Sequence, residues 1–165
     1  MSPGQITLRF PDVRDEAEFV AAVAQSHSLH SPWVSPPETK EKFRAYLKKM
    51  AAPDAQAFLV CVDDRIGGVI NLTNVVYGNF CSGYIAYYAF AHSTRQGVLT
   101  AGLQAFIERA FGELNLHRLE ANIQPGNLAS IALAKRCGFA KEGFSPRYLK
   151  IDGEWRDHER WALVI

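Results

Sequence analysis

The sequence predicts a mixed α/β sheet protein, on three observations. An apolar strand, Tyr84 to Phe90, turns through a glycine-containing loop into an amphipathic helix with Leu99, Leu103, Phe106, Ile107, Ala110, Phe111 and Leu114 along one face. A further strand, His117 to Gln124, follows that helix, and this order of strand, helix and strand favours a parallel crossover. Asp152-Gly153-Glu154 joins two β-rich segments as a hairpin, because Asp-Gly accepts positive φ. A chain of 165 residues with 48% hydrophobic content suits one domain, residues 1–165, with a sizeable core.

The elements follow in order. Ile6 to Phe10 alternates apolar and polar residues and stops at Pro11, as a half-buried first strand does. Asp12 or Asp15 caps a helix over Glu16 to Gln25, which buries Phe19, Val20, Val23 and Ala24 and ends near Ser26-His27-Ser28. The stretch from His30 to Pro37 is too proline-rich for a helix interior, and its Trp33 either plugs the core or lines a pocket. Glu38 opens a second helix with Phe43, Tyr46, Leu47 and Met50 inward and a lysine-rich solvated face. Gln56 to Val62 and Ile66 to Val76 form a hairpin across Asp63-Asp64-Arg65, with Gly67-Gly68 marking a bulge. After the turn Tyr77-Gly78-Asn79, Phe80 to Phe90 is the third consecutive antiparallel strand. Beyond the central helix and the strand from His117, Asn127 caps a short helix that Gly138 stops, and Phe139 to Ile151 and Trp155 to Ile165 form the terminal hairpin. The order is β-α-α-β-β-β-α-β-α-β-β.

Composition narrows the function classes. Eighteen basic against 17 acidic residues leave a net charge of +1, which supplies no general attraction to nucleic acid or an anionic membrane. No apolar run approaches the roughly 18 residues of a membrane span, and the first five residues lack a signal-peptide pattern, so a cytoplasmic protein is expected. Cys61, Cys81 and Cys137 are widely spaced and lack a CxxC pair, which predicts buried free thiols rather than a disulfide framework or a metal site. An anion site is therefore local. The start of the central helix carries free backbone N–H groups and the positive end of the dipole, so the loop from Thr94 to Thr100 can hold a phosphate, with Arg95 adding charge.

Three further segments carry a resemblance. Asn127 to Gly143 is similar to an N-x-x-S-x-x-(L/V)-x-(K/R)-x-x-GF-x-x-EG signature, Leu114 to Ala121 to "LGLHRVEA", and Tyr148 to His158 to "YLxINGxWxDH". On these segments and the element order the chain resembles the GNAT superfamily of N-acetyltransferases, and within it the RimJ/RimL type that acts on ribosomal-protein alanine. The resemblance implies a splayed central sheet binding acetyl-CoA as co-substrate, no metal, and direct acetyl transfer to a primary amine. It places the pantetheine arm along Tyr88, Ala89 and Phe90, and the pyrophosphate on Arg95, Gln96, Gly97, Val98, Leu99 and Thr100. In that loop Thr94 and Leu99 depart from the family's (Q/R)-x-x-G-x-(G/A) pattern while Gly97 keeps the middle glycine. Ser130 matches the signature serine and is the candidate donor to the leaving sulfur, or a plain helix-start serine. Asn127 divides between helix cap and pantetheine contact, and Asn122 between coenzyme and solvent.

No carboxylate stands out as base, since Glu120 and Glu142 read as surface pairs. A tyrosine, Tyr87 or Tyr148, could relay a proton. An α-amino group of pKa about 8 is more readily neutral than a lysine amine near 10.4, which favours a protein or peptide N-terminus over other amines. The acceptor is expected between the loop Ser31 to Pro37 and the hairpin around Tyr148 to Trp155, with Trp33 and Tyr148 holding it and Asp157 attracting its ammonium. A small-molecule amine acetyltransferase and a non-catalytic acetyl-CoA sensor or scaffold are the alternatives, and a homodimer stays open.

Overall fold

Strand pairing begins with β1 (Ile6–Arg9), which lies antiparallel to β2 (Gln56–Val62). The structure, a computed structural model, describes residues 4–165, so Met1, Ser2 and Pro3 of the leader reading lie outside the described residues. After β1, Asp12 accepts the Arg14 N–H at 2.7 Å while its own N–H reaches Asp15 at 2.9 Å. Of the two expected caps, Asp12 thus makes the reciprocal capping box, and Asp15 precedes α1 (Glu16–Gln25) without a capping bond of its own.

Helix α1 ends at Ser26, as expected, where φ −110° and ψ 9° leave the helical region. One separate turn follows, α2 (His27–His30), closed on the Ser26 carbonyl, which accepts the Leu29 and His30 N–H groups at 3.0 Å, while the Ser26 hydroxyl donates to Ala22 O at 2.7 Å. Four residues with one exposed leucine have no apolar period to announce such a turn. Next, α3 (Lys40–Met50) starts two residues later than expected, since Thr39 rather than Glu38 is the cap, accepting the Lys42 N–H at 3.1 Å. It buries Phe43 and Met50, while Lys40, Lys42, Arg44, Lys48 and Lys49 are all exposed.

The turn from β2 to β3 (Arg65–Val76) is made by Asp63 and Asp64 alone, both at positive φ, so Arg65 already belongs to the strand. Val60 pairs with Gly68 and Cys61 with Ile66, leaving Gly67 as the extra residue of a bulge. A Cβ at Gly67 would stand 3.0 Å from Val98 and one at Gly68 3.1 Å from Leu99, so these two glycines let the next long helix close on the sheet. Before β4 (Ser82–Ala89), Phe80 and Cys81 stay outside the ladder, with Cys81 at φ 44°. Then α4 (Val98–Phe111) buries Val98, Leu103, Phe106 and Ala110.

The crossover to β5 (Arg118–Ile123) is parallel to β4, as expected. After α5 (Leu128–Arg136), the hairpin of β6 (Ala140–Ile151) and β7 (Glu154–Val164) turns on Asp152 and Gly153, at φ 50° and 83°. Its later strand is the inner one, giving the sheet order β1-β2-β3-β4-β5-β7-β6. One face packs α4 and α5 over Phe58, Ile70, Leu119 and Trp161, and the other packs α1 and α3, through Phe19 and Phe43, over Leu59, Ile66 and Val69. Phe106 is fully buried, its ring tilted against that of Phe58 at 5.4 Å, so Phe106→Ala should cost about 3–5 kcal/mol in denaturant unfolding. The three cysteines are free, yet only Cys61 is buried, because Cys81 and Cys137 sit at a loop and a helix end. Among the described residues no helix is long and apolar enough to cross a membrane, and no group of three or more His, Cys, Asp or Glu could hold a metal.

Candidate coenzyme cleft and acceptor cavity

Parallel pairing of β4 with β5 runs from Ser82↔Arg118 to Ile85↔Ala121 and stops. Both strands continue beyond it, to Ala89 and Ile123, so the sheet opens into a cleft between them. Which backbone groups face that cleft follows from the other neighbour. Phe90 N–H donates to Gly67 O at 3.0 Å, and β3 pairs Gly68 with Ala89 and Ile70 with Tyr87. In an antiparallel ladder the bonded pairs alternate, so Tyr88 turns its peptide groups and Phe90 its N–H to β3 while Tyr87 and Ala89 turn theirs to the cleft; the Phe90 carbonyl accepts from Ser93. The side chains of Tyr88 and Phe90 lie on the α1 and α3 face, where burial raises the Tyr88 hydroxyl well above its ordinary pKa.

At one end of the cleft stands the start of α4. Its first intrahelical bond is Ala101 N–H to Gly97 O at 3.0 Å, which leaves the N–H groups of Val98, Leu99 and Thr100 without intrahelical partners. Gly97 caps the helix at φ 73° with nothing within 4 Å of where a Cβ would be. Arg95, Gln96 and Gly97 are exposed, whereas the Val98 side chain is buried in the core, so Val98 offers only its backbone. Gln96 spends its amide on His92 O at 3.0 Å. Arg136, from the last turn of α5, donates to Thr100 at 3.3 Å and brings a second cation to this helix start. Sequence reading passed over Arg136, because the fixed basic position of the Asn127 to Gly143 signature is Lys135 and Arg136 falls on an unspecified one.

Across the cleft, Asn127 accepts the Ser130 N–H at 3.4 Å as the cap of α5. The Ser130 hydroxyl donates to the Tyr87 oxygen at 3.2 Å, and the Tyr87 hydroxyl donates to Ser130 O at 3.0 Å. Tyr87 thus bridges β4 to the helix start. Burial pushes its pKa up to about 12 against the opposing bond to Ser130, so it keeps its proton at neutral pH and serves as a donor rather than a base. Asn122, on β5 just past the last pair with β4, has a buried Oδ1 without a partner.

On the α1 and α3 face lies a cavity of about 820 Å³. Trp33, Pro36 and Pro37 from the loop before α3, Tyr46 from α3, Tyr88 from β4 and Asp152 from the terminal hairpin are among its walls. Trp33 lines this cavity and belongs to none of the core clusters among the described residues. Tyr148 and Asp157 are not brought to this cavity. Asp157 is committed to the Arg147 N–H at 2.8 Å, holding the irregular stretch of the hairpin, and Tyr148 leans on His158 and Tyr84 farther along the sheet. Ile151 and Asp152 take their place. The expected pairs of Glu120 and Glu142 are present, both on Arg118 and Glu120 at 2.7 Å, so neither carboxylate is free.

A mixed sheet parted along its middle, with a helix start at one end of the cleft and a lined cavity on the opposite face, defines a class of α/β proteins that work inside the sheet itself. The chain belongs to the acetyltransferase (GNAT) domain family, whose model matches residues 5–140. It is 40% identical over 102 residues to the [ribosomal protein uS5]-alanine N-acetyltransferase of Escherichia coli, covering 62% of this chain and 53% of that protein. To the probable N-acetyltransferase YjcK of Bacillus subtilis it is 34% identical over 102 residues, 62% and 56% of the two chains. The matches thus span about half the length of these curated relatives. Among solved structures, Mycobacterium smegmatis RimJ in complex with CoA-disulfide superposes with a TM-score of 0.91 at 27% identity, over 98% of this chain and 82% of that one.

Proposed function

We propose that the chain is an acetyl-CoA-dependent N-acetyltransferase that acetylates the α-amino group of a protein or peptide N-terminus. The observation that carries this reading is the cleft between β4 and β5, which has free backbone groups on its wall, a phosphate-ready helix start at one end and a second cavity behind it. The residues fit the coenzyme. Tyr87 presents its peptide groups and Ala89 its N–H to a pantetheine arm in the manner of a missing strand, the Ala89 carbonyl being bonded to His30, and Val98, Leu99 and Thr100 present N–H groups to a pyrophosphate, with Arg95 and Arg136 beside them. Asn122 offers an amide with an unsatisfied end. Acetyl-CoA supplies an activated acetyl thioester there.

The chain's own residues then have three tasks. A backbone N–H of the cleft wall meets the carbonyl oxygen, the cavity holds the amine close to the carbonyl, and Ser130 with Tyr87 donates hydrogen bonds where negative charge gathers on sulfur. The nine-residue helix α5 adds its positive end on the same side. No free carboxylate serves as base, so an amine that is already partly neutral is favoured, and an α-amino group of pKa about 8 meets that need better than a lysine. Cavity chemistry points the same way. Its only carboxylates, Glu38 and Asp152, are already bonded to Lys42 and Ser35, which suits an apolar peptide end better than a polyamine.

Calorimetry with coenzyme A, followed by acetyl transfer assays on peptides with a free or blocked N-terminus and on small amines, tests the reading. Saturable coenzyme binding with thiol release only on free N-termini supports it; transfer to small amines alone replaces the acceptor, and binding without transfer leaves a sensor. Trp33→Ala is expected to raise the acceptor KM about 10-fold or more while that for acetyl-CoA stays within twofold, since only the acceptor wall loses an aromatic surface. A fall in melting temperature with unchanged acceptor KM would return Trp33 to a packing role.

A further inference from the structure

His30 is 3% exposed, closes α2 and lines the acceptor cavity. Its Nε2 lies 2.7 Å from Ala89 O, fifty-nine positions away in the chain. A carbonyl only accepts, so this nitrogen carries the hydrogen. Burial lowers the ring's pKa against that bond, which keeps the imidazole neutral and leaves Nδ1, buried and without a partner, as a lone pair. The ring also stands edge-on to Tyr88 at 5.1 Å and to Phe90 at 5.9 Å. Ala89 O is one of the groups that the register turns towards the cleft, so His30 holds the coenzyme wall from the acceptor side.

The residues after His30 carry the connection across. Trp33 and Val34 N–H both donate to His30 O, at 2.8 and 3.0 Å, fastening the start of the cavity wall to the histidine. Gln124 Nε2 reaches Pro32 O at 3.4 Å, and a Cβ at Gly126 would stand 3.1 Å from the Trp33 ring. His30 to Trp33 therefore spans the cleft from β4 to the turn between β5 and α5. A second tie backs the first, since Ala91 N–H donates to Ser26 at 2.9 Å. Both walls of the cleft and the acceptor wall meet in this one short segment.

We propose that His30 is a positioning residue which couples occupation of the coenzyme cleft to the order of the acceptor wall at Ser31 to Pro37, through its bond to the Ala89 carbonyl. The inference rests on the acetyltransferase reading and extends it. A ligand that pairs with the Tyr87 peptide groups and the Ala89 N–H fixes the strand end, the strand end fixes the imidazole through the Ala89 carbonyl, and the imidazole fixes Trp33. Coenzyme and acceptor then bind cooperatively, coenzyme first preparing the wall.

Hydrogen exchange of the full chain with coenzyme A as probe tests this. In the unaltered protein, coenzyme A should slow exchange at the Trp33 and Val34 amides about 10-fold. His30→Phe keeps the ring and removes the donor; it should abolish that protection with coenzyme A affinity within about threefold. His30→Gln, whose amide can donate to Ala89, should restore most of it, a rescue that a merely space-filling role would not produce. If the Phe variant does not fold, His30→Asn, too short to reach Ala89, replaces it with the same expectation. Equal protection in the donor-free variant and the unaltered protein would overturn the proposal, as would coenzyme binding with no protection at Trp33. Absence of coenzyme binding to the unaltered protein overturns the acetyltransferase reading itself, and this inference with it.

Discussion

Replacing Gly97 with valine is expected to weaken coenzyme A binding roughly 10- to 100-fold, because the helix start proposed to receive the pyrophosphate is built on a left-handed residue. Gly97 sits at φ 73°, and a β-branched residue there costs about 1–3 kcal/mol of backbone strain if the loop is kept. If the loop relaxes instead, the N–H groups of Val98, Leu99 and Thr100 no longer converge on one point. No protein atom lies within 4 Å of the position a Cβ would take, so the substitution makes no clash within the chain itself. Gly97→Asn separates the two explanations. Asparagine is bulkier than a methyl group yet tolerates positive φ, and it should cost less than about fivefold. Calorimetry on both variants decides, and equal affinities for Val and Asn would mean that the backbone at Gly97 does not shape the anion site.

Legibility followed the range of the interactions. The two tight hairpins were readable because Asp63-Asp64 and Asp152-Gly153 carry their turn chemistry in adjacent residues. The strand, helix and strand unit from Tyr84 onward was readable because a long apolar face persists through α4. Asn127 and Ser130 stood out through a signature with many fixed positions; Asn127 caps the Ser130 N–H, and Ser130 meets Tyr87 at the cleft. What stayed hidden depends on partners distant in sequence. The insertion of β7 between β5 and β6 is set by pairing of Ala121 with Trp161, which no local pattern reports. His30 looked like one polar residue in a proline-rich loop, and only its bond to Ala89 gives it a place in the site. Asp157 misled for the opposite reason: its charge suggested attraction of an ammonium, whereas the irregular hairpin uses it to satisfy the Arg147 N–H. Sequence reading also assigned the coenzyme wall to three consecutive residues, while strand geometry lets only alternate peptide groups, those of Tyr87 and Ala89, face the cleft.

Removing the Ser130 hydroxyl should lower kcat roughly 10- to 1,000-fold with little change in coenzyme affinity, on the scale of losing one donor to a developing anion. The geometry states why the effect falls on kcat. In the structure the hydroxyl hydrogen rests on the Tyr87 oxygen at 3.2 Å, a long bond that it can exchange for a stronger one as charge grows on a neighbouring sulfur. In the proposed site coenzyme binding draws instead on backbone groups of β4 and α4, which the substitution leaves in place. Stability should change little as well, since the cap of α5 uses the Ser130 N–H and the Asn127 side chain rather than the hydroxyl. Tyr87→Phe is the companion test. It removes the donor to Ser130 O and the acceptor of the Ser130 hydroxyl together, and with Ser130→Ala it should be strongly non-additive because the two hydroxyls act as one unit. Steady-state rates and coenzyme titrations on the two single variants and the double variant complete the cycle. A Ser130→Ala protein with full kcat and a normal fold would reduce Ser130 to an ordinary first-turn serine, and the stabilisation of the leaving sulfur would then rest on Tyr87 and the helix start alone.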